Sequence, residues 1–190
     1  MGAFGHKKRA AATMAALVIL SLAGCRREPT PPKSEVAARA PAPSGHLIVL
    51  PDSAIAVPEG SPEEQLAEFL ASPAPAPRTF RFGGVEFDSW ASKPNPPTLR
   101  TMYVMTQILR AYPKSKVTLV GYTDNDGTPA QNLVLARQRV DRLAEILVHG
   151  GIRAGRIETI GRGAVDFVGD NATPEGRARN RRIEVIVTAK

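Results

Sequence analysis

Proline is distributed very unevenly along this chain of 190 residues. Eleven of its seventeen prolines lie within residues 26–78, in runs such as Pro73-Ala-Pro-Ala-Pro77. Such runs favour the extended polyproline II conformation and lack the backbone donors that helices and sheets need. We therefore predict a Pro/Ala-rich tether over residues 25–60, with a reach of at most ~110 Å. A short helix and a Pro-rich linker are predicted over residues 61–79.

Two short ordered elements are expected inside this proline-rich half. Ser61-Pro62-Glu63-Glu64 has the pattern of a helix start with a capping box, which predicts a helix to about Ser72. Its apolar residues Leu66, Phe69 and Leu70 form one stripe. Residues 46–50 could form a short strand, and neither element suggests a function of its own.

From residue 80 onward the pattern changes to alternating strands and helices. Phe80, Phe82, Val85 and Phe87 alternate as in a strand, with a bulge or bend at Gly83-Gly84. Further strands are predicted over residues 116–122, 156–160 and 182–187, helices over 96–112 and 130–149, and a helical turn at Thr173-Pro174. The order βαβαβ(α)β predicts an α/β domain over residues 80–190, a two-layer sandwich with a mixed four-stranded sheet and its helices on one face.

Apolar spacing within these elements identifies a candidate core. In the first long helix the residues at helical spacing are Leu99, Met102, Met105, Leu109 and Tyr112. In the second they are Leu133, Ala136, Val140, Leu143 and Leu147. The strands are expected to contribute Val117, Leu119, Ile160, Ile183, Val185 and Val187.

Residues 1–24 have the features of a secretory signal peptide. Three basic residues and no acid precede an uncharged run over residues 10–23, which is too short to span a bilayer comfortably. The run ends in Leu22-Ala23-Gly24-Cys25, which resembles the lipobox of bacterial lipoproteins. The resemblance implies cleavage before Cys25 and a palmitate-type lipid anchor there, the alternatives being a free thiol or a plain N-terminal anchor. Arg26 replaces the aspartate that typically retains lipoproteins in the inner membrane, so the outer membrane is expected.

Composition and charge argue against several other functions. One cysteine excludes a disulfide framework and a cysteine-based zinc cluster, and three scattered histidines give no metal triad, so neither a metal nor a cofactor is expected. The net charge of +7 and the pI near 10.0 would suit nucleic acid. However, residues 25–79 carry a net −2 and residues 80–190 a net +6. Because an exported protein rarely meets nucleic acid, anionic cell-wall or lipid partners are expected instead.

The sequence gives little support to an enzyme, such as a wall hydrolase. No serine or cysteine nucleophile has a credible base beside it. Asp124 and Asp126 share one turn, but a calcium loop beginning at Asp124 would need glycine and glutamate where Pro129 and Leu135 stand. Asx residues and glycine are also what a tight turn uses, so this run alone carries no function.

Several separated motifs occur together in one order. They are Gly121-Tyr-Thr-Asp124, Asn132, Leu135, Arg139, Asn171-x-Thr173-x-x-Gly176-Arg177 and Asn180-Arg181-Arg182-Ile-Glu184. In these residues the chain resembles the OmpA-like peptidoglycan-binding domain, over about residues 80–190. Val85-Glu-Phe-Asp88 resembles the first-strand signature of that family, whereas Trp90 and Ala136 depart from the residues usual at their positions.

The resemblance also implies a binding site. In that family an aspartate after the second strand and an arginine on the following helix hold diaminopimelate of the peptidoglycan stem peptide, and the matching residues are Asp124 and Arg139. The diaminopimelate side chain ends in an ammonium and a carboxylate on one carbon, which suits one anion and one planar cationic fork. We expect both residues to line a solvent-accessible cleft. The supporting residues are Asp88 (in the site or only in a turn), Thr123, Asn132, Leu135 and Arg181, whereas Arg177, Arg179 and Arg182 are expected to be surface charge.

These features predict a non-enzymatic, lipid-anchored protein of the outer membrane. Its C-terminal domain would face the periplasm and bind peptidoglycan non-covalently, which tethers the membrane to the wall. An alternative is an adaptor that docks an envelope machine, such as a stator or a secretion apparatus, on the wall.

Replacing the predicted lipidation site tests the N-terminal assignment. We expect Cys25→Ser to leave an uncleaved precursor without lipid, because the thiol is the group that receives the acyl chain. Metabolic labelling with a palmitate analogue, followed by mass determination, measures both properties. Equal labelling of the parent chain and of the variant would contradict the assignment.

Overall fold

The structure, a computed structural model, describes residues 45–83, 87 and 93–190. The predicted signal peptide, Cys25, Asp88 and Trp90 lie outside the described residues. Within the described ranges, no helix combines the length and apolar character needed to cross a membrane.

The main sheet has four strands in the order β3-β6-β4-β5. They are β3 (Arg78–Phe82), β4 (Lys116–Tyr122), β5 (Ile157–Gly163) and β6 (Ile183–Ala189). Strand β6 is antiparallel to β3 and β4, whereas β4 and β5 are parallel and therefore need a crossover. The helix α3 (Pro129–His149) provides it and packs with α2 (Pro96–Ala111) on one face of the sheet. The predicted mixed four-stranded α/β sandwich is confirmed.

Each of the four α-helices in the described ranges begins with the same local sequence pattern. A polar N-cap side chain accepts a hydrogen bond from a backbone N–H of the first turn, and proline follows it directly. Proline fits this position because its missing N–H would have no partner there. The four pairs are Ser61-Pro62 before α1 (Pro62–Ala71), Asn95-Pro96 before α2, Thr128-Pro129 before α3 and Thr173-Pro174 before α4 (Pro174–Asn180).

The end of the predicted tether is ordered and belongs to the domain. Instead of an extended chain to residue 60, the structure has a hairpin of β1 (Gly45–Leu50) and β2 (Ser53–Pro58). Its inward residues Ile48, Leu50 and Val57 are buried in the same core as α1 and the main sheet. The hairpin tolerates two prolines because Pro51 lies in its turn and Pro58 at its end, where no ladder donor is lost.

Glu64 links the hairpin to α1. The predicted capping box is shifted by one residue, because the Glu64 carboxylate accepts the backbone N–H of Gly60 and not that of Ser61. The same carboxylate contacts the imidazole of His46 on β1. The hydrogen bond from Gly60, together with His46, lowers the pKa of Glu64.

The core agrees with the predicted apolar positions except at three residues. Leu99, Leu133 and Ile160 are exposed. Ile160 lies on β5, whose alternate residues face α3, so its own side chain lies on the sheet face without helices. On α3 the buried position next to Leu133 belongs to Asn132. The first strand also ends earlier than predicted, at Phe82, and Phe87 forms an isolated bridge with Pro94.

Truncating Phe69 on α1 tests whether the N-terminal elements stabilise the domain. The side chain is fully buried, and its ring centroid lies 5.6 Å from that of Phe80 on β3. We expect Phe69→Ala to lower the free energy of unfolding by about 3–5 kcal/mol. Denaturant unfolding of the full chain measures it, with Tyr103→Ala as the matched control because Tyr103 is 61% exposed. Equal effects of the two substitutions would show that α1 does not share the core.

Candidate functional site

A tight turn after β4 carries the predicted acid of the site. Thr123 is buried, its N–H donates to the carbonyl of Gly163 at 3.0 Å, and its hydroxyl donates to the carbonyl of Asp124. The Asp124 carboxylate in turn accepts the N–H of Asp126 at 3.3 Å, as expected for an Asx turn. Thr123 and the turn therefore fix the position of the Asp124 carboxylate next to the end of β5.

Asn132 holds this turn against the first part of α3. Its amide donates to the carbonyl of Asp126 at 2.8 Å, and its side chain is fully buried. A Cβ atom at position 163 would lie only 2.9 Å from the backbone nitrogen of Leu133. Because Gly163 has no Cβ, helix α3 can lie this close to the end of β5. Asn132, predicted as a supporting residue, thus lies at the site and positions the turn.

Asp124 pairs with Arg181 in this structure. The Nη1 of Arg181 donates to the Oδ2 of Asp124 at 2.7 Å, and the Arg181 side chain stays partly exposed. Arg181 follows the short helix α4, so residues far apart in the sequence meet here. The Asp124 carboxylate is consequently neutralised by a charge that remains in contact with water.

Arg139 on α3 lies beside this pair as a buried cation. Its guanidinium carbon lies 4.9 Å from the ring centroid of Phe87, and its Nε is buried without a hydrogen-bond partner among the described residues. Burial lowers the pKa of Arg139, the nearby carboxylate of Asp124 raises it, and the positive charge of Arg181 lowers it further. A desolvated donor without a partner is costly, and an incoming carboxylate would supply its acceptor.

The expected solvent-accessible cleft is not open in this structure. Asp124 and Arg139 are each only 7% exposed. Arg181 lies on the carboxylate and the Phe87 ring lies against the guanidinium, which explains the burial of both. Any ligand that reaches the two charges must therefore move or share the side chain of Arg181.

Asn180 organises the loop that borders the site, a role that the sequence analysis did not assign. Its side chain is fully buried and accepts the N–H groups of Val168 and Gly169, both at 2.8 Å. Its amide also donates to the Oδ1 of Asn171, which accepts the N–H of Asn125 at 3.3 Å. The motif that contains Asn180 could have indicated this role from the sequence. In the structure, Asn180 connects α4 to the Asp124 turn through the side chain of Asn171.

Of the three arginines predicted to be surface charge, Arg177 is half-buried and donates from its Nη1 to the carbonyl of Asn171 at 2.9 Å, and Arg182 does not fit the prediction. It is buried, donates to the Oε1 of Glu184 and to the carbonyl of Asp166 at 3.0 Å each, and places its guanidinium carbon 3.7 Å from the ring centroid of Tyr122. Burial, aided by Glu184, raises the pKa of Tyr122. Arg182 therefore stabilises the ends of the two central strands β4 and β6, whereas Arg179 is exposed as predicted.

Leu135 is half-buried on the outer side of α3. It shares a shallow groove of about 410 Å³ with Ala130, Gln131, Val134 and Gln138. No cluster of three or more metal-ligating side chains occurs within the part of the chain that the structure describes. The described site therefore consists of one carboxylate, two guanidinium groups and the amides that position them.

The fold and these motifs define a family. The sequence profile of the OmpA family matches residues 87–181, which include Asp124, Arg139 and Arg181. The chain belongs to the OmpA family.

Two curated relatives and one solved structure illustrate this similarity. "Probable lipoprotein YiaD" of Escherichia coli K12 is 38% identical over 104 residues, which cover 55% of this chain and 48% of YiaD. "Peptidoglycan-binding protein ArfA" of Mycobacterium tuberculosis H37Rv is 47% identical over 79 residues, 42% of this chain and 24% of ArfA. The structure of the cell wall anchor of the T6SS from Pseudomonas aeruginosa is 29% identical with a TM-score of 0.55, covering 66% of this chain and 97% of that one. The chain thus spans half or less of the length of these two curated relatives.

Proposed function

We propose that this protein is a lipid-anchored, non-enzymatic protein of the outer membrane that binds peptidoglycan through diaminopimelate. The observation that carries the proposal is the buried Nε of Arg139, which has no partner among the described residues and lies beside Asp124. Membership of the OmpA family and the similarity to a protein named for peptidoglycan binding support the choice of ligand.

The charges of the described site suit the free end of a diaminopimelate side chain. Its carboxylate would accept the fork of Arg139, and its ammonium would meet the carboxylate of Asp124. In the structure, Arg181 pairs with the carboxylate of Asp124. The ligand ammonium would therefore replace Arg181 at this carboxylate or share it, and the Asp124 charge would have a partner before and after binding. Asn132 and Thr123 keep the turn in place during this exchange.

The anchor places this site between a membrane and the wall. Lipidation of Cys25 would hold the N-terminus in the outer membrane, while the domain from residue 45 onward faces the periplasm. Non-covalent binding would then hold the outer membrane to the wall without a chemical reaction. A site made of one acid, two arginines and amides suits such binding.

Substitution of the charged pair tests the ligand assignment. We expect Asp124→Asn and Arg139→Met each to cost ~2–5 kcal/mol of binding free energy, or about 30-fold or more in affinity, because each leaves one ligand charge unpaired. The double variant should cost less than the sum, since both residues hold one group. Titration of the full chain with a diaminopimelate stem tripeptide measures this, and Arg179→Met is the matched control.

The ligand itself provides the contrasting measurement. A stem peptide with lysine in place of diaminopimelate lacks the distal carboxylate, so it should bind the parent chain weakly and be nearly indifferent to Arg139→Met. Arg139→Met removes a buried Nε without an acceptor but also the contact of the guanidinium with Phe87, so the melting temperature should change little, which separates loss of binding from loss of folding. Equal affinity of the folded parent chain for both peptides would refute the mechanism.

A second candidate function is the docking of an envelope machine on the wall. Two observations favour it: the similarity to a secretion-system wall anchor, and the apolar outer face of the hairpin, where Leu47 and Val49 are exposed opposite Ala56 and Ala54. A deletion of residues 46–72 cannot test it, because it would remove part of the core.

Surface substitutions on the hairpin separate the two candidate functions. The double variant Leu47→Ser/Val49→Ser keeps the buried face of the hairpin, so it should fold and bind purified sacculi like the parent chain. If the protein is an adaptor, this variant should lose in-cell crosslinks to envelope proteins that the parent chain forms. Unchanged crosslinks would favour the simple tether, and Val148→Ser on α3 is the control for an exposed apolar residue.

A further inference from the structure

The loop between β5 and α4 exposes three large apolar side chains within four residues. Val165, Phe167 and Val168 are 43%, 45% and 43% exposed, and we call these three residues the apolar loop. Single exposed apolar residues are common on protein surfaces, but a cluster on one loop marks a contact surface.

The backbone of this loop is fixed although its side chains face solvent. Asp166 has a positive φ of 51°, and its carbonyl accepts a hydrogen bond from the buried Arg182 at 3.0 Å. The N–H groups of Val168 and Gly169 donate to the buried Asn180. A surface that is held in place before binding loses little conformational entropy on contact with a ligand.

The apolar loop borders the Asp124–Arg139 site. The carbonyl of Gly163 accepts the N–H of Thr123, the neighbour of Asp124, and Val165 follows Gly163 by two residues, a distance of at most ~7 Å. At its other end the loop continues into Asn171, whose side chain accepts the N–H of Asn125 in the same turn. A ligand that extends from the charged pair past Thr123 and the end of β5 would therefore lie next to the apolar loop.

We propose that the apolar loop is a saccharide subsite of the wall-binding site, in which the exposed ring of Phe167 packs against a pyranose ring of the ligand. This inference rests on the proposed function. Two residues and a lactyl group separate diaminopimelate from the sugar in the stem peptide, so the sugar ring can lie up to ~15 Å from an anchored diaminopimelate and can reach a loop that borders the site. The C–H face of a pyranose is slightly positive and matches the negative face of an aromatic ring, and valine side chains can contact N-acetyl methyl groups.

The charges around the loop favour a sugar over a bilayer. Asp166 lies between Val165 and Phe167, and Asp170 follows Val168 by two residues, so two carboxylates lie directly at the apolar surface although the domain as a whole is basic. Insertion of this surface among the anionic headgroups of a membrane would bring these two carboxylates close to like charges. An N-acetylated sugar is neutral, so it contacts the same surface without this electrostatic penalty. A second copy of the chain is the remaining occupant, and the experiment must distinguish it.

Two ligands and three variants of the full chain test the proposal. The ligands are the diaminopimelate stem tripeptide and the same tripeptide on its disaccharide. The parent chain should bind the disaccharide-peptide more tightly, and Phe167→Ser should remove about 3–10-fold of affinity for it while leaving the free tripeptide unaffected. Val165→Ser should have a smaller effect in the same direction, and Tyr103→Ser, at an exposed aromatic residue on α2, should change neither affinity.

The outcomes separate this inference from the proposed function. If the parent chain binds the tripeptide but gains nothing from the disaccharide, the subsite is refuted and the proposed function stands. If it binds neither ligand, both fail. An equal loss for both ligands in the folded Phe167→Ser variant would make the residue structural. A change in sedimentation at unchanged sugar preference would assign the loop to self-association and also overturn the proposal.

Discussion

The direct contact between α3 and the strands β4 and β5 is the constraint on which the site depends. A Cβ at Gly121 would lie 2.9 Å from the carbonyl oxygen of Ala136, and one at Gly161 would lie 2.6 Å from the backbone nitrogen of Arg137. Real side chains do not approach backbone atoms so closely, so the helix can occupy this position only over glycine. The contact sets the height of α3 above the sheet, and it thereby fixes how far Arg139 lies from the turn after β4.

The electrostatic state of the site follows from this geometry. Helix α3 carries Arg139 into a buried position, while the turn presents Asp124 and the end of α4 presents Arg181. Of these three charges, two are satisfied by each other and the third has an Nε without a partner among the described residues. A partly exposed ion pair contributes little net stability, and a buried Nε without an acceptor costs free energy on folding. An arrangement of this kind is better explained by a ligand than by stability.

Much of the fold could be predicted from the sequence because its signals are local. Proline after a polar cap marks each of the four helix starts, and apolar alternation marks β4 and β6. The prediction of Leu133 and Ile160 as core residues is wrong. Apolar spacing alone does not show that Asn132, and not Leu133, faces the sheet, or that Ile160 lies on the sheet face without helices. Arg181 was predicted as a supporting residue of the site, but its ion pair with Asp124 could not be predicted, because the two residues lie 57 positions apart and their contact is decided by packing.

The ordered hairpin changes what the proposed anchor can do. Because β1 begins at Gly45, the proposed tether after Cys25 has at most about 20 residues instead of the 35 expected from the sequence. At the polyproline II rise this limits the reach to ~60 Å instead of ~110 Å. A tether raises the effective concentration of the wall at the binding site most when its length matches the distance between membrane and wall. A shorter tether would therefore restrict the domain to wall that lies close to its own membrane. The hairpin shares its core with α1 and the main sheet. The tether could therefore be lengthened only by unfolding the hairpin, which would expose buried apolar surface and cost free energy.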